Sequence, residues 1–563
     1  MIFDKDFDAP LAAAEVSIAE TGETTTASDE GNYVFGQVPP GNYTLVFSKD
    51  GYTRQVDADV VVASGQMTDL NASLSGEFTE MEEFVVQDIQ IGGNSEEGLL
   101  NLRMETPVLM DSVGSDLMSR AGAGDAASAL KLVAGATVQD GKYAVVRGLP
   151  DRYVVSLMNN VRLPSADPDK RAVQLDQFPS ALIESIQVSK TFTPDQQGDA
   201  SGGAVNVVLK AIPDEPILKF KIGTKYKPSV EDNDFLTYSD GGVNFLGIDD
   251  SRNPQVSGTN WSGAVGVSRG AAPTMYDWEL TAGGKYELDS GIKVGGLANV
   301  YYTHDASTVT DKKDDKYDAN VLMSNPVAAD GVKTSFFDVD QSTEEVQWGF
   351  LGALGLETER NTLTLLYMQT HVAEDTATLA EDTRGKELYF PGYDPYDIDD
   401  PGNDRENVND AVYQRFQTLE YTERDTGTVQ LDGKHTIPFP EIGIPGLVTI
   451  LEPEVDWILS ENFSKLGTPD KRMLGTQWTP TYRKGSRIKP ALYAPNKPTE
   501  NTNIGNLQRI WKDVREDSSQ FSLNGKVPFQ QWSGDSGYIK LGVFNDKVDR
   551  EFRQDTFSAE TLG

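Results

Sequence analysis

The sequence predicts a mainly β protein: an N-terminal β-sandwich, a small α+β domain, and an antiparallel transmembrane β-barrel that is incomplete. Three observations point there. No stretch of roughly 18 apolar residues occurs, so no helix can span a membrane and a closed barrel is the spanning structure left. Beyond residue 217, segments of about ten residues alternate apolar with small or polar side chains, as barrel strands do. Tight turns also alternate with long polar excursions, an asymmetry typical of outer-membrane barrels and rare in soluble sandwiches.

Composition narrows the function. Of 563 residues, 49 are Lys or Arg and 87 are Asp or Glu, a net charge of −38. So acidic a chain repels phosphate backbones and carries no basic stripe, which argues against nucleic acid as a partner. There are no cysteines, so disulfides, thiolate metal sites and Cys nucleophiles are excluded. The opening "MIFDKDFDAP" has neither a basic flank nor an apolar core and is not a signal peptide; an exported protein would carry its leader outside this sequence.

Residues 1–76 read as the sandwich. The runs "AEVSIAE", "GNYVFGQV", "GNYTLVFSKDGY" and "VVVASGQMTDLNASL" are strand-like and bounded by Gly, Pro or Asn turns. Residues 77–98 form an acidic linker around the β-prone "EEFVVQDI". That patch is either an ordinary inter-domain strand or a segment that adds itself to a partner's sheet edge.

Residues 99–212 make the α+β domain. "GDAASALKLVAG" predicts a helix capped by Asp125 and ended at Gly135. "KYAVVRGLPDRYVVSLMNNVRLP" predicts two strands broken between Gly148 and Asp151, and "LDQFPSALIESIQVSK" a short helix leading into a strand. "GAVNVVLK" is a further strand. Between the last two strands lies "TPDQQGDASGG", a Gly-rich loop that invites a phosphate-cradle reading. It holds no Lys or Arg, carries Asp195 and Asp199, and precedes a strand rather than a helix start, so that reading fails.

Residues 213–563 read as the barrel. "WSGAVGVS" puts Trp261, Gly263, Val265 and Val267 on one face, and "GIKVGGLANVYY" does so with Ile292 through Tyr302. "EVQWGFLGALGLE" aligns Val346, Trp348, Phe350 and Leu354, and "TLTLLYMQ" aligns Leu363, Leu365 and Tyr367. Tight turns are expected at 287–291, 357–361 and 423–427, with long excursions at about 304–345 and 372–414. Trp and Tyr near strand ends fit aromatic girdles. About a dozen strands can be marked and none is evident at the closing "SAETLG", so the barrel is expected to be incomplete in this sequence.

Catalytic chemistry has no foothold. His304, His371 and His435 are far apart and lack metal-ligand spacing, and no nucleophile elbow, zinc-protease or Walker signature occurs, so no enzymatic activity is expected. No cofactor is expected either. The acidic stretch 394–407, with Asp394, Asp397, Asp399, Asp400 and Asp404, reads as a hydrated loop; a calcium site is the alternative, although the spacing is not that of an EF-hand.

The order of the parts carries a resemblance. In "DEGNYVFGQVPPGNYTLVFSKDGY", Asp29, Gly31, Tyr33, Phe35, Pro40, Gly41, Tyr43 and Leu45 fit the pattern of carboxypeptidase-regulatory-like domains. "VVRGL", with Arg147 and Gly148, then "VVSLMNNVRLP" and "ALIESIQVSKTFTPDQQGDASGGAVNVVLK" resemble, in order, the plug domain of TonB-dependent outer-membrane receptors. Glu184, Ile186, Val188, Lys190, Gly198, Gly202, Gly203, Val205, Asn206 and Lys210 fall in that motif, while "TPDQQGDASGG" departs from the family's usual loop. "EEFVVQD", that is Glu82, Glu83, Phe84, Val85, Val86, Gln87 and Asp88, resembles the Ton box and stands where such receptors carry it. The resemblance favours the partner-strand reading of that patch.

The resemblance implies a barrel in the outer membrane of a Gram-negative bacterium, closed by the plug, with the sandwich in the periplasm. It implies as partners TonB with its inner-membrane energising complex, a small-molecule or oligomeric nutrient, and outer-membrane lipid. The expected function is import of a scarce nutrient: a siderophore–iron chelate, cobalamin or an oligosaccharide. A plugged-barrel receptor that signals without import and a β-rich adhesin are the alternatives.

Overall fold

The computed structural model describes residues 1–4, 9–74, 99–100, 103, 109–191, 201–249, 252, 262–318, 332–382, 413–496 and 505–559, less positions 20, 29, 50–51, 64, 66, 171, 441, 445–447, 480 and 485. The chain falls into two compact units, Met1–Asp88 and Ile89–Gly563.

The first unit is a two-sheet sandwich. One sheet orders Ala9–Pro10, Ile2–Asp4 and Ala72–Leu74; the other orders Thr24–Thr26, Glu15–Ile18, Gly41–Lys49 and Tyr52–Val62. Val16, Ile18, Leu45, Phe47 and Leu74 are buried between them, the alternate-residue burial that a half-buried strand dictates. "GNYVFGQV" is not a strand: among residues 31–38 Tyr33 and Phe35 turn inward, but the chain is irregular. The apolar alternation is met by packing, Tyr33 edge-on to Phe47 at 5.6 Å, and not by a hydrogen-bond ladder. Tyr33 Oη donates to the Leu70 carbonyl at 2.9 Å, and burial, with Asp57 and Asp69 nearby, pushes its pKa up to about 12.

Strands of the second unit are numbered from its start. The α+β domain contains β1 (Met110–Gly114), β2 (Ala136–Gln139), β3 (Tyr143–Val146), β4 (Val154–Met158), β5 (Val161–Arg162), β6 (Ile183–Ser189) and β7 (Gly203–Leu209). Five pair in the order β5–β4–β7–β6–β1, with β4 and β7 parallel and the other neighbours antiparallel; β2 and β3 form a hairpin. Helix α1 spans Ser115–Arg120 and α2 Ala126–Leu130, capped where Asp125 accepts from Ser128 N at 2.6 Å. The chain turns out of α2 and passes Gly135 at φ 74°. The helix expected at 175–182 shrinks to a 3-10 turn, Leu175–Gln177, because Phe178 bends into extended backbone and Pro179 follows. Nearly every residue of β6 and β7 is buried, as a sheet covered on both faces requires.

The large sheet is one antiparallel run: β8 (Ile217–Thr224), β9 (Tyr276–Glu287), β10 (Lys293–Asp318), β11 (Val332–Glu357), β12 (Asn361–Asp382), β13 (Tyr413–Thr436), β14 (Glu454–Thr479), β15 (Leu507–Gln531) and β16 (Ser536–Ala559), each paired with the next. Among the described residues β8 and β16 do not pair, so the sheet of barrel type stays open. Its face toward the α+β domain is polar: Asn299, Gln347, Thr370, Thr426, Thr428, Gln430, Asn462 and Gln520 are all buried there. Toward the tight turns at 287–291 and 357–361 the opposite face is apolar and bare, with Phe220 64 % and Leu354 64 % exposed, while farther along the strands the β8–β9 segment covers it. Polar inside and apolar outside inverts a soluble fold and is what a barrel wall in lipid needs.

The turns at 287–291 and 357–361 occur as expected. Three other expectations fail in whole or in part. Residues 423–427 lie within β13, where Arg424 and Thr426 supply the polar alternation of the inner face rather than a turn. The excursion expected at 304–345 is in large part continued strand, since β10 runs to Asp318 and β11 back from Val332, and the one expected at 372–414 starts as strand to Asp382; residues 319–331 and 383–412, with the candidate calcium stretch, lie outside the described residues. "WSGAVGVS" is no barrel strand: residues 262–267 cross the sheet, with Ala264 and Val267 packed on Leu236, Tyr238 and Leu419.

Candidate functional site

The motif residues assemble the sheet of the α+β domain. Arg147 and Gly148 turn the chain after β3 at φ 53° and 75°, and Arg147 N donates to Gly135 O at 2.8 Å. Val188 is fully buried on β6, and Lys190 pairs with Asp111 across the β6–β1 edge. Glu184 accepts from Ala211 N at 2.8 Å where the chain leaves the domain, and burial pushes its carboxyl above the usual range. Gly202 and Gly203 start β7 where backbones crowd: an added Cβ would stand 2.8 Å from Tyr153 O and 2.6 Å from Ser189 O. Asn206 exchanges hydrogen bonds with Asn160, accepting from Asn160 N at 3.0 Å and donating to its Oδ1 at 3.1 Å, which ties the β4–β5 turn to β7. Gly198 and the Ton-box candidate, residues 82–88, lie outside the described residues.

The contacts between this domain and the wall were not legible in the sequence. Leu297, Tyr301, Leu351, Ala353, Leu366 and Met368 of the wall join its apolar core. Elsewhere the interface is polar. Gln347 Nε2 donates to the Gln177 carbonyl at 3.1 Å, and Thr426 Oγ1 to Gln177 Oε1 at 2.7 Å. Lys210 Nζ donates to Glu279 Oε1 at 3.1 Å, and Ser165 N donates to Glu516 Oε1 at 3.1 Å. Arg424 sits at the centre, Nη2 donating to Glu374 Oε2 at 2.6 Å and Nη1 3.7 Å from Asp176 Oδ2. Lys142 Nζ reaches the same Asp176 oxygen at 3.4 Å.

Beside these ions lies a cavity of about 180 Å³ lined by Asp125, Asp176, Asp305, Glu345, Lys225 and Arg424 among others. Asp176 Oδ1 and Arg424 Nε are buried without a protein partner, an acceptor and a donor left over at the cavity wall. Burial pushes the Asp176 carboxyl up, against the pull of Lys142 and Arg424. Nearby, burial would also raise Asp167, but hydrogen bonds from Tyr143, the Asp169 and Lys170 amides and Gln174 hold it below the usual range. The histidines stand apart, each with its own neighbour: His304 with Glu344, His371 with Asp425, His435 with Asn361. Such a site can hold and release a polar surface by exchanging hydrogen bonds and ion pairs with water.

Comparison with known families agrees with this architecture. The carboxypeptidase regulatory-like domain matches residues 1–75, and the TonB-dependent receptor plug domain matches residues 103–205. No curated protein matches the sequence. Similar solved structures include the ferric citrate transporter FecA in its unliganded form, at 9 % identity and TM-score 0.31, covering 80 % of this chain and 61 % of that one. The siderophore receptor PiuA from Acinetobacter baumannii gives 10 % and 0.29, covering 80 % and 62 %. The ferric yersiniabactin uptake receptor FyuA from Yersinia pestis gives 10 % and 0.25, covering 79 % and 62 %. The chain thus spans about three fifths of the length of each of these proteins.

Proposed function

For a chain that carries the plug domain of TonB-dependent receptors behind a carboxypeptidase regulatory-like domain, we propose active import of a scarce nutrient across the outer membrane of a Gram-negative bacterium. One observation carries the reading: the plug rests on the polar face of the sheet through side-chain hydrogen bonds and ion pairs, with only a limited apolar patch. Contacts of that kind exchange for water at small net cost, so a plug held by them can be displaced. Nutrient binds at the outer loops and the plug. Residues 82–88 then pair with TonB as an added strand, whose main-chain hydrogen bonds transmit a pull. The inner-membrane complex supplies that pull, and the sandwich stands on the periplasmic side. No covalent step is required.

The nutrient is a siderophore–iron chelate, cobalamin or an oligosaccharide. Growth of a deletion strain across iron and carbon sources separates these. With the nutrient in hand, removal of residues 82–88 abolishes uptake and leaves surface binding intact; uptake that persists contradicts the import mechanism.

A further inference from the structure

The segment joining β8 to β9 crosses to the face of the sheet that the plug does not touch. On β12, Leu366 and Met368 meet the plug, whereas His371, Ala373 and Asp375 point the other way. It is on that outer side that Tyr238 Oη bonds to Asp375, Asp249 N donates to Glu423 Oε1 at 2.8 Å, and Leu236 N to Ser342 Oγ at 3.0 Å. Residues 241–249 form the tip of this crossing.

The tip lands on a row of aromatic rings. Trp278, Tyr302 and Trp348 are register neighbours on β9, β10 and β11, and the Trp278 and Tyr302 rings stack at 6.0 Å. Phe245 stacks on Tyr302 at 4.6 Å and 16°. A second aromatic level, with Tyr286 on β9, lies eight residues along the strand near the tight turn at 287–291. At the usual rise and barrel tilt that spacing is about 20 Å, close to the height of a lipid-facing band. Between the levels the outer face carries Leu280, Leu354 and Leu365, all exposed.

The tip combines exposed apolar side chains with a backbone that is hydrogen-bonded at every N–H and C=O of residues 246–248. Phe245, Leu246 and Ile248 are 59 %, 52 % and 43 % exposed. Yet Leu246 N and Ile248 N donate to Asn244 Oδ1 at 3.1 and 3.3 Å, and Gly247 N donates to Asn244 O at 2.9 Å. Asn244 Nδ2 donates to Ile248 O at 2.5 Å, Trp348 Nε1 to Leu246 O at 2.8 Å, and Tyr421 Oη to Gly247 O at 2.9 Å, with His371 Nε2 also 2.9 Å from that carbonyl. A loop in water needs no such provision, because water serves its amides. A loop at the hydrocarbon boundary does.

We propose that residues 241–249 are a membrane-interface anchor, seating Phe245, Leu246 and Ile248 in the lipid beside the upper aromatic row. The proposal rests on reading the bare face of the sheet as the lipid-facing wall, and it commits to lipid because the tip continues that face at its aromatic edge. The anchor would fix the crossing segment, and with it the entrance side of the wall, relative to the membrane plane.

The cysteine-free chain permits a direct test. Leu246→Cys, Leu354→Cys and Ser239→Cys are each labelled with an environment-sensitive fluorophore, and the full chain is placed in nanodiscs of phosphatidylcholine and phosphatidylglycerol carrying nitroxide lipids. Ser239 is the control: it is exposed beside Tyr238, whose partner Asp375 lies four residues beyond His371, about 13 Å along β12. The label at 246 is expected to be quenched about twofold more than that at 239, most strongly by nitroxide near the headgroup, with 354 quenched by nitroxide deep in the chains. A label at 246 that behaves like 239 while 354 is quenched overturns the anchor alone. An unquenched 354 overturns the membrane reading, and the anchor with it.

Discussion

Gln520 of the wall and Arg162 of the plug hold each other by a closed pair of hydrogen bonds: Arg162 N donates to Gln520 Oε1 at 2.9 Å, and Gln520 Nε2 donates to Arg162 O at 2.6 Å. A side-chain amide thus stands in for a neighbouring strand at the edge of β5. Gln520→Ala leaves both backbone groups without these partners and should weaken plug docking by about 1–3 kcal/mol. Faster proteolysis of the plug in the folded protein checks this; Gln520→Glu, which keeps the acceptor and loses the donor, should fall between.

Arg424 is predicted to matter more. Its loss strands Glu374 and Asp176 between plug and wall, and breaking one side of a buried ion cluster costs about 3–5 kcal/mol. Arg424→Ala should therefore loosen the plug more than Gln520→Ala, and Arg424→Lys, unable to fork between two carboxylates, should recover only part of the difference. Urea titration of plug protection measures the ranking.

The pH dependence has two arms of opposite sign. Asp176 and Glu184 have carboxyls raised by burial, so their contribution is greatest at low pH and is lost as pH rises through those raised values. Asp167, held low, contributes above the ordinary carboxylate range and loses its contribution as pH falls through its depressed value. Plug docking should strengthen from neutral to mildly acidic pH and weaken again in stronger acid. Asp176→Asn should flatten the first arm and leave the second, as read by hydrogen exchange in β6 and β7.

Gly203→Ala should disrupt the plug from within. The new Cβ would overlap Ser189 O, and φ 131° disfavours any side chain, so a cost of about 1–3 kcal/mol is expected. Gly148→Ala tests the difference: it meets the strain of φ 75° but has open space, and should cost less. Thermal unfolding of the two variants gives the comparison.

The sequence revealed the outer face of the wall better than its inner face. Val346, Trp348, Phe350 and Leu354 advertise themselves as alternating apolar residues, and the structure puts them in register where expected. Their inward neighbours, Glu345, Gln347 and Gly349, look like loop composition, because a residue that faces polar plug groups and water obeys no hydrophobic period. For the same reason Arg424 and Thr426 read as a turn and the extended ends of β10 to β12 as loops. The plug was legible because its motif residues are packing devices: Gly202, Gly203 and Asn206 sit where only their shapes fit. The Arg424–Asp176 contact joins residues 248 positions apart, and no local pattern reports such a pair.

The import proposed above requires the plug to move against the wall for nutrient to pass. Ala166 of the plug packs on Val514 of β15, both buried, in a chain that has no cysteine of its own. Ala166→Cys with Val514→Cys, joined by a short thiol cross-linker that reductant cleaves, ties plug to wall at one point. Uptake should stop in the tethered protein while surface binding continues, and should return on reduction. Full uptake through a completely tethered protein would contradict the account.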